Sequence, residues 1–274
     1  MKQRIITALW GLPVLLACIW IETPWFPLLL LLIAAVAVLG ALEFYRLASL
    51  AGGQPLTYFG LVWVLGFIAN AHFEDVYTVP LLASAMALPL IWLLVRSARR
   101  TNAGVALADW GWTLMGILYV GWALSRFVVL RELDQGWEWV LVALACTIAC
   151  DTTAYFVGRK WGRRPLAPTI SPKKTWEGAI AGFLASVCAA QLLNFILIAV
   201  HLALPLGFGG AALLGCLLGV LVQVGDLFES RLKRRAGVKD SGSWIPGHGG
   251  ILDRFDSAIF AGVVVYYYVI CVAS

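Results

Sequence analysis

Charged side chains are scarce in this chain, since Asp, Glu, Lys and Arg make up 13% of its 274 residues. A soluble globular domain carries roughly 25% charged and roughly 45–50% apolar residues. Here 61% of the residues are hydrophobic. A soluble core of this size cannot bury so much apolar surface, so the composition excludes a soluble protein. Apolar runs of about 20 residues recur along the chain, and each is long enough to cross a bilayer.

Other features are missing as well. We find no internal repeat, no low-complexity tract, no separate soluble domain and no Walker A motif. The six cysteines lie in apolar segments, which does not resemble a secreted disulfide framework. Cys146 and Cys150 are four apart on a predicted helix, and we interpret them as small packing residues rather than metal ligands or a disulfide. The net charge of +5 fits basic cytoplasmic loops, so we expect no nucleic-acid partner.

Nine apolar segments predict an all-α, polytopic membrane protein. They cover roughly residues 4–21, 24–46, 58–71, 78–95, 105–129, 137–158, 177–200, 207–228 and 255–273. The third segment is short for a span. Lys2 and Arg4 before the first segment resemble a signal peptide, but no clear cleavage site follows, so we interpret it as an uncleaved helix.

The distribution of basic residues predicts the topology. With a cytoplasmic N-terminus and nine alternating spans, 18 of the 20 Lys and Arg residues lie on the cytoplasmic side, and only Arg126 and Arg131 lie near the other face. The C-terminus is then external. We divide the chain into N-terminal helices over 1–140 (about five) and a C-terminal catalytic region over 141–274, with cytoplasmic loops at 159–175 and 229–254.

Four acidic residues lie at the depth of the apolar segments: Asp151, Asp226, Asp253 and Asp256. A charge there costs roughly 2.5–3.5 kcal/mol and marks a functional site by default. Asp253 and Asp256 share a face if a helix begins near Asp253, and Asp226 approaches the same surface from the preceding helix. Converging carboxylates suit a hard divalent cation. The alternative is that Asp253 and Asp256 only cap the helix and pair with Arg254.

Bases and glycines fill the stretch between these acids. The cluster from Arg231 to Lys239 either neutralises phosphoryl oxygens or anchors the chain at anionic headgroups. The turn Gly247–Gly250 either brings backbone N–H groups close to a phosphate or is simply flexible. His248 is as consistent with a surface role as with a functional one.

A second polar segment, Ser171–Gly178, precedes the seventh span. Thr175 is a suitable N-cap, and Trp176 and Glu177 then lie in the first helical turn. Two lysines and two hydroxyls before a helix N-terminus predict an anion site, although a capped helix beside a basic loop is the simpler alternative.

Together these residues resemble one family. From Ser230 to Asp256 the chain follows the pattern S-x-[apolar]-K-R-x4-K-D-x-G-x2-[apolar]-P-x-H-G-G-[apolar]-x-D-R-[apolar]-D. This is similar to the signature of the phosphatidate cytidylyltransferases, or CDP-diacylglycerol synthases. The segments that begin at Asp151, Ser171 and Gln223 also resemble upstream motifs of that family. The resemblance is strong over about 145–274.

The resemblance implies an Mg²⁺-dependent enzyme of phospholipid synthesis that transfers CMP from CTP to phosphatidate and releases pyrophosphate. It further implies a homodimer with a binuclear metal centre in the bacterial cytoplasmic (inner) membrane, with its active site facing the cytoplasm. A second, monovalent cation is left open. The implied catalytic residues are Asp226, Lys239, Asp253, Arg254 and Asp256, with Asp226, Asp253 and Asp256 as metal ligands. The implied substrate-binding residues are Ser171, Lys173, Lys174, Thr175, Ser230, Lys233, Arg234, His248, Gly249 and Gly250. The roles of Asp151, Glu177 and Asp240 stay open.

Two other functions are alternatives. A CTP-dependent lipid-alcohol kinase would use similar membrane architecture but transfer the γ-phosphate, and the full signature argues against it. The D-G-x2-A-R-x8-G-x3-D-x3-D motif of the CDP-alcohol phosphotransferases is also missing. An ion-coupled transporter predicts acids spread across the membrane depth. Here the acids cluster at one face beside bases and glycines.

Overall fold

The computed structural model describes residues 13, 17–18, 20–21, 27–73, 75–97, 103–202, 204, 206–244 and 249–273. The predicted first span, 4–21, lies largely outside these residues, as does His248. The described helices are α1 Leu28–Leu50, α2 Thr57–His72, α3 Thr78–Ser97, α4 Ala103–Gly116, α5 Ala123–Glu132, α6 Gly136–Trp161, α7 Trp176–Ala199, α8 Phe208–Arg235 and α9 Leu252–Tyr268. A π-helical turn, Ile117–Trp122, joins α4 to α5, and a second one, Val269–Ala273, follows α9.

Seven helical segments within the described residues are long and apolar enough to cross a bilayer. Helix α2 is also apolar but is shorter than these seven segments, with 16 residues. At about 1.5 Å per residue it reaches about 24 Å, less than the roughly 30 Å hydrocarbon core. The prediction of an all-α polytopic membrane protein is confirmed. The count of nine spans and the sides of the two termini stay predictions.

Both predicted cytoplasmic loops contain more regular structure than expected. Strand β1, Pro165–Ala167, pairs antiparallel with strand β2, Ser171–Thr175. Helix α8 continues beyond its predicted end at residue 228 as far as Arg235. Basic residues in the last helical turn complement the negative end of the helix dipole. Gly237, at φ +69°, then ends the helix as a left-handed residue of the kind that commonly follows a C-terminus.

The chain forms two compact units, one of residues 1–129 and 232–253 and the other of residues 130–231 and 254–274. We call them the first and second units. The signature segment 232–253 thus belongs to the same unit as the N-terminal helices. In the first unit, Tyr45 is buried and donates a hydrogen bond to the carbonyl of Thr113 at 3.0 Å. Its ring fills the space beside Gly60 and Gly116, where a methyl group would overlap it.

Small residues bring the helices of the second unit together. Gly182 of α7 lies against the backbone of Cys150 in α6, and Gly215 of α8 lies against Val187 of α7. In a bilayer the hydrophobic effect does not drive helices together, so their association depends on van der Waals packing. Glycines favour this packing because they let the helix backbones approach closely. Gln223 adds a polar tie by donating to the carbonyl of Ala179 at 3.0 Å. The cysteines of the described residues are free thiols.

The first unit contains an ion pair that should respond to pH. Asp75, between α2 and α3, accepts two hydrogen bonds from the buried Arg126 guanidinium, at 2.7 and 2.8 Å. Burial raises the pKa of Asp75, but hydrogen bonds from Arg126, Thr78 and Asn70 and the Arg126 charge outweigh it, so the pKa lies below its usual range. The pair therefore stabilises the fold above the unfolded-state pKa, and this contribution is lost as the pH falls through the lower pKa of the folded protein.

Thermal unfolding in detergent is expected to begin at a lower temperature as the pH falls from about 5 to about 3. The Asp75→Asn variant should already be destabilised at neutral pH by about 3 kcal/mol, because it leaves Arg126 buried without its carboxylate. It should also lose less stability than the wild type on acidification. Asp134→Asn, at an exposed position, is the control. Equal acid sensitivity in Asp75→Asn and wild type would contradict this role.

Candidate active site

The β ribbon presents the lysines of the second polar segment. Strand β2 ends at Thr175, whose side-chain oxygen accepts a hydrogen bond from Gly178 N at 3.2 Å and so caps α7. This confirms the predicted N-cap. Alternation along a strand places Lys173 and Lys174 on opposite faces. Lys173 is exposed and Lys174 is half-buried, so the ribbon turns only one of the two lysines inward.

Glu177, in the first turn of α7, binds the backbone just before strand β1 of the ribbon. Its carboxylate accepts hydrogen bonds from the backbone N–H groups of Arg163, at 3.1 Å, and Arg164, at 3.2 and 3.3 Å. The backbone of Trp176 donates in turn to the carbonyl of Arg164 at 2.9 Å. The sequence leaves the role of Glu177 open between direct contact with the substrate and orientation of the lysines, and these contacts favour orientation of the ribbon that carries the lysines.

Asp226 of α8 is the centre of a charged cluster in the second unit. Its Oδ2 lies 2.5 Å from Lys174 Nζ. Ser230, one turn further along α8, donates a longer hydrogen bond of 3.4 Å to Asp226 Oδ1. Asp151 of α6 lies close enough to Asp226, Lys174 and Ser257 to interact with them electrostatically. The structure thus brings together Asp151, Lys174, Asp226 and Ser230 from three separate parts of the sequence.

Asp256 also belongs to the second unit. It is largely buried near the start of α9, and its Oδ1 accepts a hydrogen bond from the backbone of Ser257 at 2.7 Å. Because the Ser257 side chain interacts with Asp151, this part of α9 lies close to α6. Arg254 lies exposed at the first turn of the same helix.

Asp253 is the centre of a second cluster, which lies in the first unit. Its Oδ1 accepts from Lys233 Nζ at 2.6 Å, with the two side chains 9% and 13% exposed. Its Oδ2 accepts from the backbone of Ser241 at 2.8 Å, from the Ser241 hydroxyl at 3.0 Å and from Gly250 N at 2.9 Å. Lys233, two backbone N–H groups and the Ser241 hydroxyl therefore surround this carboxylate. The N–H and O–H donors to Asp253 precede α9, and the cation that Asp253 contacts is Lys233.

The structure shows why the Gly-rich turn has a glycine at position 249. It has φ +83°, in the left-handed region that favours glycine. A Cβ atom here would also lie 2.8 Å from Asp253 Oδ2. The turn thus packs its backbone against the Asp253 carboxylate, and Gly250 N donates to it. The predicted contact of Gly249 and Gly250 with substrate phosphates stays a prediction.

The remaining predicted residues surround these clusters. Arg234, Lys239 and Asp240 are exposed, and Ser171 is half-buried in β2. Arg234 donates to the carbonyl of Val238 at 3.2 Å, which supports the turn after α8. Arg234 and Lys239 thus expose their charge to solvent, whereas Lys174 and Lys233 contact carboxylates.

Sequence reasoning overlooked Glu43 and Ser241. Glu43, on α1, is 2% exposed and accepts hydrogen bonds from the Ser241 hydroxyl and from the backbone of Ile251 and Leu252. It is an acidic residue inside an apolar segment, so the rule that selected Asp151 and Asp226 would have selected it too. Ser241 carries no comparable signal, because a serine in a polar loop is common.

The aspartate oxygens of the two clusters suit a hard cation. Among the described residues, however, no group of three or more His, Cys, Asp or Glu side chains is placed to hold a metal ion. Aspartate oxygens are the ligands that Mg²⁺ takes, usually one or two at a time with substrate phosphates and water completing the shell. Asp226 and Asp253 each hold a lysine ammonium at 2.5 or 2.6 Å. Each of these carboxylates thus already binds a positive charge.

Comparison with known proteins gives a match along nearly the whole chain. A family model described as the cytidylyltransferase family matches residues 2–272. A phosphatidate cytidylyltransferase of Bacillus subtilis (strain 168) is 33% identical over 270 residues, which cover 97% of each chain. One from Pseudomonas aeruginosa is 36% identical over 264 residues, covering 94% of this chain and 92% of its own. The chloroplastic phosphatidate cytidylyltransferase 4 of Arabidopsis thaliana is 33% identical over 303 residues, covering 98% of this chain and 73% of its own.

Proposed function

Because this chain belongs to the cytidylyltransferase family, we propose that it transfers the cytidylyl group of CTP to phosphatidate, giving CDP-diacylglycerol and pyrophosphate. The observation that carries the proposal is the similarity to relatives named phosphatidate cytidylyltransferase over 97% of both chains. The spanning helices support it independently, because a lipid substrate requires an active site at the membrane.

The reaction is a substitution at the α-phosphorus of CTP. A phosphate oxygen of phosphatidate forms a new bond to this phosphorus, the bond to the bridging oxygen breaks, and pyrophosphate leaves with the electron pair. The nucleophile is already an anion, so no strong general base is needed. The barrier comes from bringing two polyanions together and from the charge on the transferring group. Positive groups held at defined positions are therefore the main requirement of the site.

The lysine–aspartate pairs suit this requirement. Lys174 and Lys233 are held by Asp226 and Asp253, so their ammonium groups are positioned before substrate arrives. Exposed Arg234, Lys239 and Arg254 add charge that can reach the triphosphate or the lipid phosphate. Pre-positioned cations need no reorganisation during the reaction, which is the property that makes electrostatic catalysis effective.

Magnesium is part of the proposal. The family resemblance implies Asp253 of the first unit and Asp226 and Asp256 of the second unit as its ligands, and each supplies the hard oxygen donors that Mg²⁺ prefers. When bound, Mg²⁺ acts as a Lewis acid that neutralises charge on phosphoryl oxygens, and it orients the substrate. A second, monovalent cation stays open.

Location and assembly complete the proposal. We place the protein in the cytoplasmic (inner) membrane of a bacterium with its active site facing the cytoplasm, where CTP is available. The sorting of 18 of 20 basic residues to one side supports this orientation. The homodimer implied by the family resemblance can be checked from the mass of the detergent-solubilised protein.

The direct test uses CTP labelled at two positions. With purified protein, phosphatidate and Mg²⁺, label at the α-phosphate is expected to enter the lipid product, and label at the γ-phosphate is expected in released pyrophosphate. Chelation of Mg²⁺ should stop the reaction. A lipid-alcohol kinase would instead move γ-label into lipid. Absence of α-label from lipid would overturn the proposed function, provided that the protein elutes as a folded species.

A further inference from the structure

Glu43 is a buried residue of the N-terminal half, and its carboxylate contacts the signature segment. It accepts hydrogen bonds from the Ser241 hydroxyl at 2.7 Å, from Ile251 N at 3.0 Å and from Leu252 N at 2.8 Å. These donors lie about 200 residues further along the chain but in the same compact unit. Ile251 and Leu252 supply N–H groups at the start of α9, which have no partner within the helix. Glu43 therefore caps α9 from a distant helix.

Two glycines of the signature make room for this carboxylate. A methyl group on Gly242 would overlap Glu43 Oε1, and one on Gly250 would overlap Glu43 Oε2. The three atoms nearest to the methyl group on Gly242 all belong to Glu43, and the φ of Gly242 is not positive. The Gly242 backbone conformation therefore does not require a glycine, whereas the Glu43 side chain does. The space it leaves is filled by Glu43.

The same short turn holds both Glu43 and Asp253. The Ser241 Oγ lies 2.7 Å from Glu43 Oε2 and 3.0 Å from Asp253 Oδ2. Gly250 N donates to Asp253, and the next two backbone N–H groups donate to Glu43. A shift of Glu43 must therefore move Ser241 and the turn, and with them the donors that aim Asp253 Oδ1 at Lys233.

An ordinary cap does not require this arrangement. Helix N-termini are usually capped by a Ser, Thr, Asp or Asn of the same segment at little cost. Burying an isolated carboxylate is far more expensive, and only well-placed donors and the positive end of a helix dipole offset the cost. A distant, buried acid does what a local cap cannot, because it ties the turn to the rigid interior of the first unit.

We propose that Glu43 is a positioning residue that sets the place of Asp253 through Ser241 and the turn Gly249–Leu252. This inference rests on the proposed function, in which Asp253 acts on the phosphates or their metal. Glu43 itself touches neither substrate nor metal in this proposal. Its effect is to keep the Asp253 carboxylate and Lys233 at the distances needed for transfer.

The first experiment compares Glu43→Gln with wild type and with Glu138→Gln. Glu138 is another buried acid, 3% exposed, in the second unit. Glutamine keeps the shape of glutamate but replaces one acceptor oxygen by a donor. We expect Glu43→Gln to lower kcat/KM by about 10–100-fold and to raise the Mg²⁺ concentration at half-maximal rate, as for residues that orient metal ligands. Glu138→Gln should leave this Mg²⁺ concentration unchanged, whatever its effect on thermal stability.

Hydrogen–deuterium exchange provides a readout that does not require activity. In Glu43→Gln the amides of Ile251 and Leu252 should exchange faster than in wild type, because their acceptor is weakened. The same peptide should keep its protection in Glu138→Gln. Faster exchange with unchanged kinetics and Mg²⁺ dependence, at a temperature where the variant is folded, would overturn the positioning role. Unchanged exchange would overturn the contact itself. If wild type lacks transfer activity, the proposed function fails while the exchange result still stands.

A double-mutant cycle tests whether Gly242 serves Glu43. Gly242→Ala alone should lower activity, because its methyl group displaces the carboxylate. Added to Glu43→Ala, which empties that space, it should cost little more, so the two effects should be strongly non-additive. Gly111→Ala, where nothing lies within 4 Å of the added methyl group, is the control in the same unit. Additive losses for Glu43 and Gly242 would show that the glycine serves another purpose.

Discussion

Replacing Asp253 by Asn is expected to lower the rate of cytidylyl transfer by about 10³-fold while the protein still inserts into the membrane. The change removes the negative charge that holds Lys233 at 2.6 Å. It also puts an amide where the structure requires an acceptor for up to three donors. Loss of a pre-positioned charged group at a phosphoryl-transfer site costs rate on this scale. Asp226→Asn should show a loss of the same order, because Lys174 then loses its partner.

The measurement is the steady-state rate with α-labelled CTP, together with expression level and thermal stability in detergent. Asp134→Asn, an exposed acid outside both clusters, is the matched control and should keep wild-type activity. If Asp226 and Asp253 act on the same step, the double variant should be scarcely slower than either single variant. Wild-type rates in either single variant would remove that residue from the reaction.

Replacing Lys174 or Lys233 by Met is expected to lower kcat/KM by about 10²-fold, the second largest effect that we anticipate. Methionine keeps most of the length of the side chain and removes its charge, so the loss should report on phosphate binding and transition-state stabilisation. The loss should be largest when CTP is below saturation. Folding should suffer less in Lys174→Met than in Lys233→Met, because Asp226 is 30% exposed and solvent can accommodate it, whereas Asp253 is 9% exposed.

Lys160→Met is the control for these lysine variants. Lys160 is an exposed base near the end of α6, and its ammonium lies 4.5 Å from the Trp161 ring centroid. It carries the same charge as Lys174 but belongs to neither cluster. Equal losses in all three lysine variants would indicate a general effect of membrane-surface charge. A loss confined to Lys174 and Lys233 supports their specific role.

Features that depend on neighbouring residues were predictable from the sequence. Thr175 was identified as an N-cap, and Glu177 was placed in the first turn of α7, because capping acts over three or four residues. Helix ends were less predictable. The extension of α8 to Arg235 depends on dipole complementation by its basic residues and on the left-handed Gly237, features that an apolar-run criterion does not include.

The pairing within the clusters was not predictable. Lys174 and Lys233 were both expected to face phosphates, and the structure pairs each with an aspartate. Glu43 was overlooked altogether, although its depth in an apolar segment was a usable signal. Its partners lie about 200 residues away, so no local spacing could indicate them. Gly250 was expected to approach a phosphate, and the structure shows it against Glu43 and Ser241.

Apolar composition establishes that this is a multi-span membrane protein, and the motif from Ser230 to Asp256 establishes which family it resembles. Both are properties of the chain that need no coordinates. The donors that each buried acid receives, and the capping of α9 by a helix of the N-terminal half, are visible only in the folded protein. Those contacts exist because packing brings distant residues within hydrogen-bond distance, and a buried charge must find its partners wherever the fold supplies them.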